Sequence, residues 1–516
     1  MSWNDGYFTD IDYACSYQYN ISPINIELCL LFTIKDFLST KKSYRYLELG
    51  FGRGLSLNIH AAANDGEFWG VDFNPDFAVT ANDYAKASGA NIHVCDGSFE
   101  EFSQRKDLPE FDIIVMHGVW SWISTENQKI IIDFVRRKLA VGGAFYVSYN
   151  TPADKWTRLM PVRDLMKLYY DRVTTQLDSP ALRVKNAVEF VDRMMATNPH
   201  LPQRERLIEE IEQIKKSNPG YIAGEYLGQH WDLVPFSEMA TILSEAKLNF
   251  AGHAELLENV DLLFLTETSR RSLNDITDPV LKEMTRDYLS AHHFRSDIWL
   301  KGSRALSLIE RTQLLSNLRF VLIIPLDEVD LNVNVPAGAM TFDLEIYTPV
   351  LECLAENNYT PKTADDLVDY HQLRNLNKGQ ILDALITLTS LHCIYPAQKN
   401  EVIEKVKSKT NALNTYLLEQ AVHTAQINNL ASPVTGGGVK VSRVEQLFLL
   451  ARLEDVVSPD EWASLAWQLI SQQEKVNHIE GTIISSPAEG LSLLKKMAHQ
   501  FSDKKLPILK TLGIAE

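Results

Sequence analysis

The segment 46–72, YLELGFGRGLSLNIHAAANDGEFWGVD, constrains the fold more than any other part of the chain. An apolar strand carrying one acid, Glu48, breaks into three glycines at alternate positions, Gly50, Gly52 and Gly54. A helix-like run follows, and then a second strand that ends in Asp72. Strand, glycine turn, helix, strand and terminal acid make one half of a nucleotide-binding doubly wound sheet. Glycine permits positive φ and lets a ligand approach with no Cβ in the way. The terminal acid is placed to accept from both hydroxyls of a ribose. Spacing decides which nucleotide. A G-x-G-x-x-G fingerprint would need its third glycine at Leu55 or, counted from Gly52, at Leu57, and no Gly-Lys-Ser/Thr follows. The turn reads E-x-G-x-G-x-G. It lacks the extra residue that wraps a pyrophosphate and suits a ligand with an amino-acid tail. An NAD site and a purely structural turn are the alternatives.

This pattern resembles motif I of the class I S-adenosylmethionine (AdoMet) methyltransferases. The resemblance implies AdoMet as cofactor, held by Glu48, Gly50, Gly52, Gly54, Asp72 and the adjoining Phe73. From 45 to 150 strands and helices alternate regularly, with strands expected near 45–49, 67–72, 91–95, 111–116 and 143–149. Asp96, with Gly97 and Ser98 in CDGSF, follows the third strand, where a carboxylate and a backbone N–H read an adenine edge; a turn-forming Asp is the alternative. The fourth strand ends in His117-Gly118-Val119-Trp120-Ser121-Trp122, and the fifth in Tyr149 and Asn150. Both ends lie at the carboxyl edge of the sheet, where ligands bind in such folds. The fourth strand is not followed by the N/D-P-P-Y of nucleobase and glutamine amino-methylating enzymes. The next helix is expected to stop at Gly142-Gly143.

Residues 152–230 break the alternation with helical periodicity and read as an insertion. Asn218-Pro219-Gly220 reads as a helix stop. A helix at 235–247 and strands at 248–253 and 260–266 then read as the elements that close the sheet. The expected fold is α/β: a Rossmann-like seven-stranded sheet of order 3-2-1-4-5-7-6 with strand 7 antiparallel, a helical insertion, and mostly helical C-terminal domains. The expected division is 1–270 for the cofactor domain, 271–335 for a middle or regulatory region, 336–400 for a winged-helix-like unit and 401–516 for a helical domain. The third helix of that unit carries only Lys378 and Asp383 as charges, which does not suit groove reading in DNA. The 435–438 Thr-Gly-Gly-Gly turn reads as a flexible loop.

A chain of 516 residues accommodates about three domains. Its net charge of −17 argues against general nucleic-acid binding, which needs a basic footprint. Five scattered cysteines without a CxxC argue against structural disulfides and a zinc site; no metal is expected. The N-terminus has no signal-peptide pattern, and no uncharged apolar run is long enough to span a bilayer, so a cytoplasmic location is expected.

Four further stretches, GVWSWIS at 118–124, FVRRKLAVGGAFYVSYNT at 134–151, GEYLGQHWDLVPFSEM at 224–239 and HHFRSDIWLKG at 292–302, resemble the methyltransferases that carry a methyltransferase regulatory domain. LASPVTGGGVKVSRVEQLFLL at 430–450 resembles their C-terminal part. That group includes bacterial protein-lysine methyltransferases of the type that modify outer-membrane protein B in rickettsiae. The resemblance implies lysine methylation of a protein, a homodimer and an open cavity over the cofactor. On this reading Trp120, Trp122 and Tyr149 form the acceptor pocket and His117 moves the proton or bonds the cofactor tail. Tyr226, His230 and Trp231 roof the pocket, and Tyr17 of a Tyr-rich leader (with Tyr13 and Tyr19) packs over the cofactor. Core packing is the alternative for the tryptophans, and a structural role is the alternative for His230. A small-molecule methyltransferase and a non-catalytic AdoMet-binding protein are the competing functions.

Overall fold

The computed structural model describes residues 6, 7, 9, 11, 15–37, 43–175, 177–197, 200, 203–302, 304–472 and 478–516; Tyr13 lies outside them. Helix α1 (Pro23–Phe32) is capped by Ser22, with Pro23 in its first turn. Strands β1 (Tyr44–Leu49), β2 (Gly66–Asp72), β3 (Ile92–Asp96), β4 (Phe111–Met116) and β5 (Leu139–Asn150) form a parallel sheet. Helices α2 (Leu55–Ala63), α3 (Pro75–Ser88) and α4 (Thr125–Lys138) connect them. Every residue of β4 is buried, as a central parallel strand covered on both faces requires. Helix α4 buries Ile131, Ile132, Phe134 and Val135 and ends in Arg136, Arg137 and Lys138, where the helix dipole favours cations.

The insertion consists of α5 (Lys155–Arg172), α6 (Pro180–Thr197), α7 (Arg204–Lys216) and α8 (Pro219–Leu227), around a core of its own. The stop expected at Asn218-Pro219-Gly220 is present, since α7 ends at Lys216, and the same residues also start α8, with Asn218 as cap. After α9 (Phe236–Ser244) come β6 (Asn249–His253), α10 (Pro279–Ser290) and β7 (Phe294–Leu300). The sheet order is β3-β2-β1-β4-β5-β7-β6, with β7 antiparallel to both neighbours. The order is the expected one, but its seventh strand is not the expected segment. Residues 260–266 instead fall in the short helices Leu256–Asn259 and Asp261–Phe264. Their apolar run fits either state by periodicity. The true strand was masked by Arg295, Ser296 and Asp297, all buried in its centre. The sheet therefore reaches past the boundary expected at 270. Gly142 and Gly143 also lie inside β5, at a bulge opposite β4, instead of ending a helix.

Beyond the sheet, strand Arg319–Leu322 pairs with Lys362–Thr363 and Ile394–Ala397 beside helices Leu344–Tyr359, Ala364–Val368 and Lys378–Ser390. A largely helical region follows. The 435–438 turn is no loose loop. It joins the strands Asn429–Ser432 and Gly437–Lys440, is buried, and packs against α2 and the ring of Tyr17. All nine residues of α2 are buried, because the helix Asn400–Gln420 and this hairpin cover its outer side. No helix among the described residues is long and apolar enough to cross a membrane.

Candidate functional site

The glycine turn folds as its residue types require. Gly50, Gly52 and Gly54 all have positive φ. A Cβ at Gly54 would fall 2.5 Å from the Cβ of Ala81, so this position also sets how closely α3 can approach. Asp72 ends β2 and holds the turn: its carboxylate accepts from the Gly52 N–H at 2.9 Å and the Asn74 N–H at 3.0 Å. Burial raises the Asp72 pKa to about 7, with help from Asp96 and against the backbone hydrogen bonds. Glu48 is buried too, and burial followed by the charge of Asp72 lifts it to about 8. Its Oε2 has no hydrogen-bond partner within the described residues.

Two adjoining cavities meet over this turn. The smaller, about 140 Å³, is lined by Tyr7, Asp72, Phe73, Gly97, Ser98 and Trp122, among others. Tyr7 lies edge-on to Phe73 at 5.6 Å, and the leader is tied to the insertion by Gln229 N–H donating to the Gly6 carbonyl. The larger cavity, about 550 Å³, runs from Glu48, Gly50 and His117 to Trp156, Tyr221 and Glu225 of the insertion. A buried acid with a free oxygen, a glycine cradle and a carboxylate at the strand end fit AdoMet: Glu48 and the glycines would face its methionine end and Asp72 its ribose.

His117 lines both cavities. Its Nδ1 lies 2.7 Å from the Tyr146 hydroxyl, which donates to Ser296 Oγ at 3.2 Å. Burial lowers the His117 pKa to about 4, so the ring is neutral at physiological pH.

Several expected site residues lie elsewhere. Trp120 is fully buried in the core beneath the sheet and lines neither cavity, whereas Trp122, two residues on, lines both. Tyr149 points away from the cavity and donates to Asp297 at 2.6 Å. Its neighbour Asn150 lines the larger cavity. Asp96 is exposed at the rim outside both linings, while Gly97 and Ser98 line the smaller one. Tyr17 faces α2: its hydroxyl lies 3.0 Å from His60 Nε2. Tyr226, His230 and Trp231 do not line the cavity either; Tyr226 and Trp231 pack against Trp156.

The residues of α8 that do line it are Tyr221 and Glu225, four apart on one helix face. Tyr226 is one residue further round and faces the insertion core. This periodic pair was a legible signal. Tyr7, Trp156, His293 and Phe294 reach the site only through tertiary folding and have no motif of their own.

Tyr149 joins a buried charged network. Arg295, with no exposed surface, bonds Asp297 at 2.8 Å, Asp287 at 2.5 Å and Glu283 at 3.0 Å. His253 lies 3.2 Å from Asp297, and His292 3.0 Å from Glu258. Burial alone would depress His292, but Glu258 and Asp287 outweigh it and lift its pKa to about 9.

The model of the methyltransferase domain matches residues 47–143, and that of the "Predicted methyltransferase regulatory domain" matches 218–301. An uncharacterized protein of Synechocystis sp. is 36% identical over 522 residues, covering all of both chains. An uncharacterized protein of Rickettsia prowazekii is 25% identical over 291 residues, 55% of this chain and 50% of its own. Among solved structures, PKMT2 from Rickettsia typhi in complex with AdoHcy superimposes with a TM-score of 0.69 at 20% identity, over 97% of this chain and 100% of that one. The cofactor turn, the sheet order, both domain matches and the full-length relative agree: the chain belongs to the AdoMet-dependent methyltransferases that carry a methyltransferase regulatory domain.

Proposed function

We propose that this methyltransferase acts on lysine side chains of a protein. The observation that carries the reading is the larger cavity, which continues past the glycine turn to an aromatic wall of Trp122, Trp156 and Tyr221. Aromatic faces attract an ammonium and its methylated forms. Low polarity lowers an amine's pKa by disfavouring the charged form, and an amine with a reference pKa near 10.4 must be neutral to attack. AdoMet, when bound, supplies a methyl group already activated on a sulfonium. The chain's own task is to position the acceptor and exclude water. Trp122 sits where the two cavities meet and orients the acceptor, and neutral His117 at the end of β4 offers an unprotonated ring nitrogen that can accept an N–H of the acceptor amine. The full-length likeness to PKMT2, a structure holding AdoHcy, supports the same reading.

Transfer of a labelled methyl from AdoMet to a cell lysate, followed by mass spectrometry, tests it. The expected result is label on lysine in one or a few proteins; label only in small molecules overturns it. Assembly as a homodimer acting on an outer-membrane protein extends the proposal, and light scattering coupled to size exclusion measures the first part.

A further inference from the structure

The larger cavity contains a lysine of the chain's own. Lys155, the first residue of α5, lines the same space as Gly50, His117 and Trp122. Its ammonium lies 4.8 Å from the centroid of the Trp156 ring, the arrangement by which aromatic faces hold alkylated ammonium groups. Asp154, just before Lys155, is held at φ 60° and ψ −97°, outside the regions a non-glycine residue normally adopts. Arg158 at 2.6 Å and Arg206 at 2.7 Å hold the Asp154 carboxylate. His293 lines the same wall, and burial together with the charge of Lys155 lowers its pKa.

We propose that Lys155 is itself a methyl acceptor, modified in cis by the cofactor bound in the same cavity; this rests on the amine-methylating reading above. The ammonium first gives a proton to solvent through the cavity mouth. The free amine then attacks the methyl carbon, an N–C bond forms as the C–S bond breaks, and the electron pair of that bond stays on sulfur. The products are S-adenosylhomocysteine and a methylammonium that keeps its charge over Trp156. A methylated Lys155 fills more of the acceptor channel, so self-modification alters what else can enter.

The full-length chain is incubated with AdoMet across a dilution series and analysed by intact mass and peptide mapping. The expected result is an increment of one CH2 per transfer at Lys155, present at isolation or gained on incubation, with a rate per molecule independent of concentration, and absent from Lys155→Arg. An unmodified Lys155, increments only at other lysines, or a rate proportional to concentration overturns the proposal. A second readout needs no turnover. AdoHcy should protect Lys155, relative to the other lysines, from reductive alkylation by formaldehyde; equal reactivity with and without AdoHcy overturns the shared cavity. Labelling of lysate proteins in the same reaction separates the two readings. Labelled protein lysine with unmodified Lys155 rejects only the cis step, whereas label confined to small molecules rejects the lysine reading.

Discussion

The Tyr146 hydroxyl lies 2.7 Å from His117 Nδ1 and donates its own proton to Ser296 Oγ. The Tyr146 oxygen is thus left to accept from His117 Nδ1–H, and Nε2 remains the basic nitrogen. Tyr146→Phe leaves that buried N–H the longer contact to Ser148 Oγ at 3.5 Å. It should cost ~1–3 kcal/mol of stability and lower turnover more than cofactor affinity. Denaturant unfolding, AdoHcy calorimetry and rate measurements on the same preparation check this; unchanged turnover removes His117 from the reaction.

Cofactor affinity should depend on pH. Asp72 and Glu48 have pKa values raised by burial to about 7 and about 8, so both are partly protonated at neutrality. An ionised carboxylate accepts strongly from both ribose hydroxyls, whereas a protonated one keeps a single good acceptor oxygen, so affinity for AdoHcy should rise as pH increases through about 7 and level off above 8. The two acids influence each other, and the profile belongs to the pair. Asp72→Asn should bind more than about tenfold more weakly, a loss of ~1.4 kcal/mol or more, and should lose most of the slope. Calorimetry across the pH range reads both; a wild-type profile that falls with pH contradicts the assignment.

The two neighbouring tryptophans should part company. Trp120 is sealed in the core, so Trp120→Ala should cost ~3–5 kcal/mol of stability. Trp122 faces the cavities, so Trp122→Ala should slow methyl transfer with a smaller loss of stability. Thermal melts and turnover, measured side by side, distinguish them; similar melting losses in both variants would sink the distinction.

His292 makes stability depend on pH in the opposite sense to ordinary acid unfolding. Its folded pKa of about 9 exceeds the reference value of 6.5. A raised histidine pKa stabilises fully below the unfolded value and is lost as pH rises through the folded one. Stability should therefore fall between about pH 6.5 and 9, by at most ~3 kcal/mol. His292→Gln should be less stable at pH 6 and should show a smaller decline, the remainder coming from His253, whose pKa Asp297 and Glu283 raise against burial. Urea titrations at pH 6, 7.5 and 9 give the comparison.

The C-terminal hairpin should report on the cofactor site. A Cβ at Gly438 would fall 2.9 Å from the Tyr17 ring, whose hydroxyl bonds His60 of α2. Gly438→Ala should displace the hairpin or the leader and weaken AdoHcy binding several-fold while leaving the cavity residues untouched. An unchanged calorimetric affinity would show that the hairpin and the turn are independent.

The cofactor half of the site was legible because its chemistry is local: Glu48, the glycines and Asp72 lie within one strand-turn-helix-strand unit. The acceptor half was not, because adjacent positions divide between cavity and core. Trp122 and Asn150 reach the cavity while Trp120 and Tyr149 do not, and a sequence without the strand-end geometry cannot show which side chain of each pair turns inward. The seventh strand was missed for a related reason. Burial of Arg295 and Asp297 depends on partners such as His253 and Glu283, supplied by β6 and α10.

Helix α2 starts at the last glycine of the cofactor turn and has no side facing water. Gln398 donates to the Ala63 carbonyl and Asn64 to that of Gly436, both at bonding distance across a gap of more than three hundred residues in sequence. If docking of the C-terminal region and cofactor occupancy favour the same placement of α2, thermodynamic reciprocity requires each to strengthen the other by the same factor. A fragment ending after the sheet would then lose cofactor affinity as well as the apolar cover of α2. A ligand gripping the distant C-terminal helices would be an effector of methyl transfer without ever touching the cavity.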